Sequence, residues 1–221
     1  MKLSKTTIDV LKNFSNINTQ LLFRPGNVIR AQSPQAEDIL ATARVEETFP
    51  CTAGIHDLPR FIGALSLFDT PDLKFGEHQL VISENKRVLD YTYAAESMIR
   101  AVPVDLDLEV EAHASFELTT SDLSATLKGI GVLKCNQLAF IGDGEQIFMR
   151  GVNLDDPTSD SYEIAVGETD RNFKIYVFKD NLKLMAKDYK VSLSDDCIEF
   201  KSDLVTYHLA YHSSSETGDL Y

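Results

Sequence analysis

The chain has 221 residues, 43% of them hydrophobic and 25% charged, with a formal net charge of −13 at pH 7. This is the composition of a folded globular protein of one large or two medium domains, and it excludes collagen-like, low-complexity and disordered chains. Taken alone, the negative charge argues against nucleic acid, because binding to phosphate rests on Lys and Arg releasing counterions.

No run reaches the ~18 consecutive apolar residues of a membrane-spanning helix, and the opening MKLSKTTIDVLKNF lacks the apolar stretch of a signal peptide. A cytosolic chain without a membrane partner is expected. Cys51, Cys135 and Cys197 are odd in number, widely spaced and in no C-x-x-C pair. They fit neither a disulfide framework nor a zinc site and read as core or strand residues.

In chain order, residues 2–14 read as a helix with Ile8, Leu11 and Phe14 on one arc and Lys5 and Lys12 on another. Residues 20–23 and 28–30, around the turn Arg24-Pro25-Gly26-Asn27, read as a hairpin, and 41–48 as a further strand. Asp57 caps a second helix over 57–68, whose first turn tolerates Pro59 and whose Leu58, Phe61 and Leu65 oppose Arg60. Strands follow at 79–83 and 88–94.

The run Val104-Asp105-Leu106-Asp107-Leu108-Glu109-Val110-Glu111 alternates strictly, with four carboxylates on one face and four apolar side chains on the other. It reads as a connector strand with its acidic face in water; its apolar side equally suits the border of a partner-peptide groove. A third helix over 119–134 turns Leu123, Leu127 and Ile130 inward and Ser121, Ser124 and Lys128 outward. A second hairpin, 137–140 with 146–150, bends at Gly142-Asp143-Gly144, and a strand follows at 162–166. A fourth helix is expected over 179–190, with Leu182, Met185 and Tyr189 on one arc and Lys179, Lys183, Lys187 and Lys190 as a stripe on the other. Strands at 190–193, 197–200 and 205–211 close the chain.

The same order of elements thus occurs twice, about 116 residues apart. Two similar domains are implied, at 1–104 and 116–221, joined by a connector over 105–115. The four predicted helices hold ten basic residues and five acidic ones, a net of +5 that leaves −18 for the rest of the chain. Helices sharing one side of the molecule would make a basic surface that contacts phosphates without reading bases.

No G-x-S-x-G, P-loop or G-x-G-x-x-G is present, and His56, His78, His113, His208 and His212 form no i, i+4 pair on a predicted helix. Neither an enzyme, a metal site nor a cofactor is expected.

The opening Met1-Lys2-Leu3-Ser4-Lys5, with Leu11-Lys12-Asn13-Phe14 and Ile17-Asn18, resembles the start of the sliding clamps of T-even-type bacteriophages. The second half is similar too, in Asp122-Leu123 and Leu127, in Gly151-Val152-Asn153 and in Phe178-Lys179-Asp180-Asn181-Leu182-Lys183-Leu184-Met185. The resemblance implies an α+β DNA clamp fold, with two similar domains, each of two helices packed on antiparallel sheets. It further implies a homotrimeric ring whose helices line a hole for double-stranded DNA, bound without regard to sequence.

Further expectations come with the family: tethering of the replicative DNA polymerase, loading by an ATP-driven clamp loader, support of late transcription through a sigma-like factor, and work in the cytoplasm of the infected bacterial host. By position, Lys5, Lys12, Arg60, Lys128, Lys134, Lys179, Lys183 and Lys187 would face the DNA. A partner-peptide pocket would draw on Val102, Pro103, Leu106, Leu108, Tyr207 and Leu209. The alternative is a β-rich phage structural component of tail or capsid, which has no reason to sort lysines onto helices.

Overall fold

The computed structural model describes residues 1–34, 38–103, 106, 108, 110–156 and 158–218. The chain forms two compact units, residues 1–106 and 107–221. No helix among the described residues is long and apolar enough to cross a membrane.

Unit 1 begins with α1, Lys5–Ile17. Ser4 caps it, its hydroxyl accepting from the Thr7 N–H at 3.2 Å. The Glu47 carboxylate accepts from the Ser4 N–H and, at 2.5 Å, from the Thr7 hydroxyl. With Ser4 spent as the cap, the helix starts three residues later than the expected 2–14, and it runs on to bury Ile17. Val10, Leu11 and Phe14 are fully buried on its inner face.

The chain continues through β1 (Leu21–Phe23), β2 (Gly26–Gln32), β3 (Ile39–Phe49) and β4 (Ala53–Ile55) to α2 (Leu58–Leu65). Asp57 caps α2 by accepting from the Arg60 N–H at 2.9 Å, and Leu58, Phe61 and Leu65 are buried as expected. Three strands follow, β5 (Asp72–Phe75), β6 (Gln79–Glu84) and β7 (Arg87–Thr92), in an antiparallel meander. Phe23 stacks on Phe49 at 4.4 Å, with Phe61 and Phe75 edge-on, to form the aromatic centre of this unit.

The hairpin expected between 20–23 and 28–30 is not the pairing that forms. β1 pairs with β4, and β2 with β3. β1 and β4 are each three residues long and buried at every position, so they satisfy each other's backbone in the interior.

Unit 2 opens with β8 (Ala114–Leu118), which begins inside the stretch given to the connector, and continues into α3 (Thr120–Leu133). Thr119 caps α3, accepting from the Asp122 N–H, and Lys134 ends it in the left-handed region at φ 56°. Gly129 lets β11 approach: a Cβ there would lie 2.5 Å from the Tyr162 ring. Four strands, β9 (Gln137–Asp143), β10 (Gln146–Val152), β11 (Tyr162–Glu168) and β12 (Asn172–Phe178), form a sheet of order β11-β10-β9-β12. The predicted second hairpin is there, as β9 and β10, its turn held by Asp143 accepting from the Glu145 and Gln146 N–H groups. β13 (Tyr189–Leu193), β14 (Cys197–Lys201) and β15 (Val205–Ala210) close the unit, with β8 antiparallel to β13.

The repeat extends to the pairing. β1 with β4 corresponds to β9 with β12, and β2 with β3 to β10 with β11. Even β8 beside β13 has its counterpart, because Met1 and Leu73 exchange two hydrogen bonds at 2.7 and 2.8 Å beside β5.

The fourth helix, however, does not form. Residues 179–188 make one 3₁₀ turn, Lys179–Asn181, and then run irregularly into β13. Two buried phenols take over the backbone of this stretch: the Met185 N–H donates to the Tyr207 hydroxyl at 3.2 Å, and the Tyr189 hydroxyl donates to the Met185 carbonyl at 2.7 Å. Asp188 accepts from the Thr120 N–H and hydroxyl at 2.6 and 2.8 Å, which ties the end of the stretch to the start of α3. Each unit was expected to hold two helices; among the described residues there are two in unit 1 and one in unit 2. In the 104–111 run, residues 104, 105, 107 and 109 lie outside the described residues, and the remaining four belong to no strand.

Burial pushes the Glu47 carboxyl up, but the hydrogen bonds from Thr7 and Ser4 outweigh it and hold it below its ordinary value of 4.5. A depressed carboxyl stabilises the fold above its unfolded value and loses that contribution as pH falls through the folded one. Glu47→Gln should therefore cost about 1–2 kcal/mol at pH 7 and flatten the loss of stability below pH 4.5. Urea melts of both proteins across the acid range measure this.

Candidate nucleic-acid interface

Lys5 and Lys12 are exposed on α1, and Lys12 lies 3.6 Å from Asp9. Arg60 is exposed on α2, which packs against α1. Unit 1 therefore brings three of the expected cations onto two adjoining helices whose opposite faces are core. In unit 2, Lys128 is exposed on α3 across from buried Leu123, Thr126 and Ile130. Leu127, expected inward, is half-buried, and the buried Thr126 takes its place.

The remaining cations are placed differently from the expectation. Lys134 is the left-handed cap beyond α3 rather than part of it, and Lys2 precedes α1. Lys179 sits in the 3₁₀ turn, half-buried, and Lys183 follows in the irregular stretch, also half-buried. Lys187 lies 3.8 Å from Asp203, and Lys190 stands on β13. The four do not form a helical stripe, since the backbone that would align them is bonded to Tyr189 and Tyr207. The charge sorting contracts accordingly. The three helices hold Lys5, Lys12, Arg60 and Lys128 against Asp9 and Asp122, a net of +2 in a chain of −13.

The partner-pocket residues also separate. Val102 is buried, its carbonyl accepting from Arg24 at 2.9 Å, while Pro103 is exposed. Leu106 is half-buried with its carbonyl on Arg30 at 2.9 Å, and Leu108 is 39% exposed. Tyr207 and Leu209 are wholly buried in unit 2. They are interior residues rather than pocket walls, because β15 turns both into the core. The sequence pattern concealed this: residues 205–211 alternate, but His208 is buried as well as its neighbours.

No group of three His, Cys, Asp or Glu residues that could hold a metal occurs among the described residues. Cys51, Cys135 and Cys197 are free thiols. Features not evident in the residue pattern are the outer edges of β7 and β11, each an end strand of its sheet with no strand beyond it among the described residues. Val88 on β7 is 65% exposed, one of several large apolar side chains that stand in solvent.

The fold is that of the DNA clamps. An A. fulgidus PCNA, solved with the C-terminal region of FEN-1 bound, superposes with a TM-score of 0.73 over 97% of this chain and 98% of that one, at 14% identity. PCNA from Entamoeba histolytica superposes at 0.70 over 96% and 97%. In sequence, residues 2–106 match the family model of the DNA polymerase processivity factor. The sliding clamp of Vibrio phage KVP40 is 31% identical over 200 residues, covering 87% of this chain and 90% of the relative. The sliding clamp of Enterobacteria phage T4 is 25% identical over 226 residues, covering 97% and 98%. The chain belongs to the sliding clamp family of T-even-type phages. Its role is that of a DNA polymerase processivity factor, without catalysis of its own, and the reading as a tail or capsid component falls away.

The Tyr207 hydroxyl should matter chiefly to the stretch that replaces the fourth helix. Tyr207→Phe is expected to cost about 1–2 kcal/mol and to speed exchange of the Met185 amide about tenfold, readable by native-state hydrogen exchange.

Proposed function

We propose that the chain assembles head-to-tail into a homotrimeric ring around double-stranded DNA and tethers the replicative DNA polymerase to it. The two clamp domains are 1–104 and 116–221, joined by 105–115. Lys5, Lys12, Arg60, Lys128, Lys134, Lys179, Lys183 and Lys187 face the duplex. The observation that carries this reading is the exposure of Lys5, Lys12, Arg60 and Lys128 on helices whose other faces are core, in a chain that is otherwise strongly acidic.

Topological enclosure removes the need for tight binding. Phosphate contacts through a few ammonium groups and bridging waters are weak and exchangeable, so the ring slides. The surplus of carboxylates elsewhere repels DNA from the outer surface and keeps rings apart. A cyclic trimer needs a heterologous contact, and the unpaired edges of β7 on one subunit and β11 on the next supply complementary backbone groups for it.

The ring is opened and placed on DNA by an ATP-driven clamp loader, and works in the cytoplasm of the infected host. The polymerase and a sigma-like factor of late transcription dock short peptides near Val102, Pro103, Leu106 and Leu108.

Charge reversal of Lys5, Lys12 and Lys128 to Glu should leave the oligomer's mass unchanged and abolish stimulation of processive synthesis on a primed template. Full stimulation by this triple variant would overturn the DNA-facing assignment. Val88→Asp, in contrast, should lower the mass measured by sedimentation at equal concentration while each subunit keeps its circular dichroism.

A further inference from the structure

Between the 3₁₀ turn Glu96–Met98 and β8, the described residues belong to no helix or strand. Pro103, among them, has no N–H to give to a ladder. The backbone here still needs partners wherever water does not reach it, and in unit 1 it finds them in side chains. The Arg100 N–H donates to the Gln20 side-chain carbonyl at 2.9 Å, and the Arg100 carbonyl accepts from the Asn18 amide at 3.5 Å. The Val102 carbonyl accepts from Arg24 at 2.9 Å, and the Leu106 carbonyl from Arg30, also at 2.9 Å. All of these side chains come from residues 18–30, from the end of α1 into β2.

They are fixed in their turn. Asn18 is buried and follows α1 as its C-cap; its amide also donates to the Gln32 carbonyl at 2.9 Å, and its side-chain carbonyl accepts from the Gln20 N–H at 2.8 Å. Arg24 follows β1 directly, and Arg30 sits in β2 between buried Ile29 and Ala31. With those neighbours turned into the core, Arg30 projects from the opposite face of the strand. Both arginines are half-buried. A guanidinium suits such a place better than an ammonium, because it is planar and more weakly hydrated, and its bonds to carbonyls are charge-assisted.

What the arginines hold is the segment on which a partner would land. Val102 is 2% exposed, Pro103 beside it is exposed, Leu106 is half-buried and Leu108 is 39% exposed. Fixing the Val102 carbonyl fixes which way that residue turns, and with it the outward position of Pro103. The Leu106 N–H returns to the Pro103 carbonyl at 3.4 Å, so the Arg30 bond to Leu106 steadies Pro103 as well. A segment released at both points would have to be ordered again each time a partner docked, at a cost in conformational entropy.

We infer that Arg24 and Arg30 are positioning residues for partner docking, holding Val102 and Leu106 against unit 1 in the arrangement that the polymerase binds. The inference rests on docking near Val102, Pro103, Leu106 and Leu108. Each arginine acts through the backbone of the segment rather than by touching the partner, and neither belongs to the DNA-facing set.

The test uses the full chain with Arg24→Met and Arg30→Met together, since methionine keeps an apolar stem and removes the donors. The amides of Val102 and Leu106 should exchange about tenfold faster in native-state hydrogen exchange. The Kd for the replicative polymerase of the same phage, read by surface plasmon resonance on immobilised polymerase, should rise about tenfold. Arg24→Lys with Arg30→Lys keeps a donor on each stem and should bring both quantities back to within about threefold of the parent. Single methionine variants, with the same expected direction, stand in should the double variant lose its circular dichroism. Unchanged exchange overturns the inference, even where polymerase binding weakens, because loss of charge alone would give that result. Lysines that rescue neither quantity overturn it, and so does faster exchange with an unchanged Kd. In that last case Leu106→Ser separates the two readings: weaker polymerase binding by this variant leaves the docking site standing, and undiminished binding removes the docking site too.

Discussion

Coulomb repulsion between an acidic chain and the DNA polyanion governs how this molecule is built. A clamp of net charge −13 has no general affinity for DNA, so whatever contact it makes must come from a few cations placed together. The helices provide that placement. A helix with one buried arc has no choice about where its polar residues go, and burial of Val10, Leu11 and Phe14 on α1 or of Leu58, Phe61 and Leu65 on α2 sets Lys5, Lys12 and Arg60 outward. The core of unit 1 therefore determines the geometry of its basic surface. The caps matter for the same reason: Glu47 and Asp57 hold the first turns from which those side chains project.

Duplication explains most of the remaining architecture. Both units run helix, four strands, a polar segment or helix, and three strands, and two of their pairings correspond, β1–β4 with β9–β12 and β2–β3 with β10–β11, while β9–β10 has no paired counterpart in β1 and β2. The unit ends are the weak points of such a design, because a three-strand meander leaves β5 and β13 each needing a neighbour. Unit 2 supplies β8, and unit 1 supplies only the Met1 to Leu73 pair of bonds. Among the described residues, one edge of β7 and one edge of β11 are still left without a strand. Unpaired edges are normally blunted, and β7 is instead left with an exposed Val88. In a sliding clamp such an edge is consistent with assembly rather than with a finished monomer.

Much of this was legible in the residues. Asp57 with Pro59 marked α2, Gly142-Asp143-Gly144 marked the β9–β10 turn, and the repeated order of elements marked two units, because caps, turns and periodicity are local signals. The pairing of β1 with β4 was not local: Leu21–Phe23 and Ala53–Ile55 are far apart in sequence, and the turn residues between β1 and β2 suggested a hairpin that the interior does not use. Tyr207 and Leu209 failed for a related reason. Alternation told which residues share a face of β15, but not that both faces are covered.

The lost fourth helix shows how tertiary contacts override a periodic pattern. Residues 179–190 have helical spacing of apolar and basic positions, yet isolated helices of about a dozen residues are marginal and depend on packing for their stability. Here packing favours another arrangement. Burial pushes the Tyr189 and Tyr207 phenols well above their ordinary range, so both stay neutral and able to donate as well as accept. One hydroxyl takes the Met185 N–H and the other the Met185 carbonyl, the two groups that a helix would have bonded to its own turns. Asp188, held ionised by the Thr120 N–H and hydroxyl, then fixes the exit into β13. Lys179, Lys183 and Lys187 follow this irregular path, and Lys187 lies within reach of Asp203. A continuous lysine stripe would have gripped phosphate along one line. The irregular path leaves these cations dispersed rather than aligned.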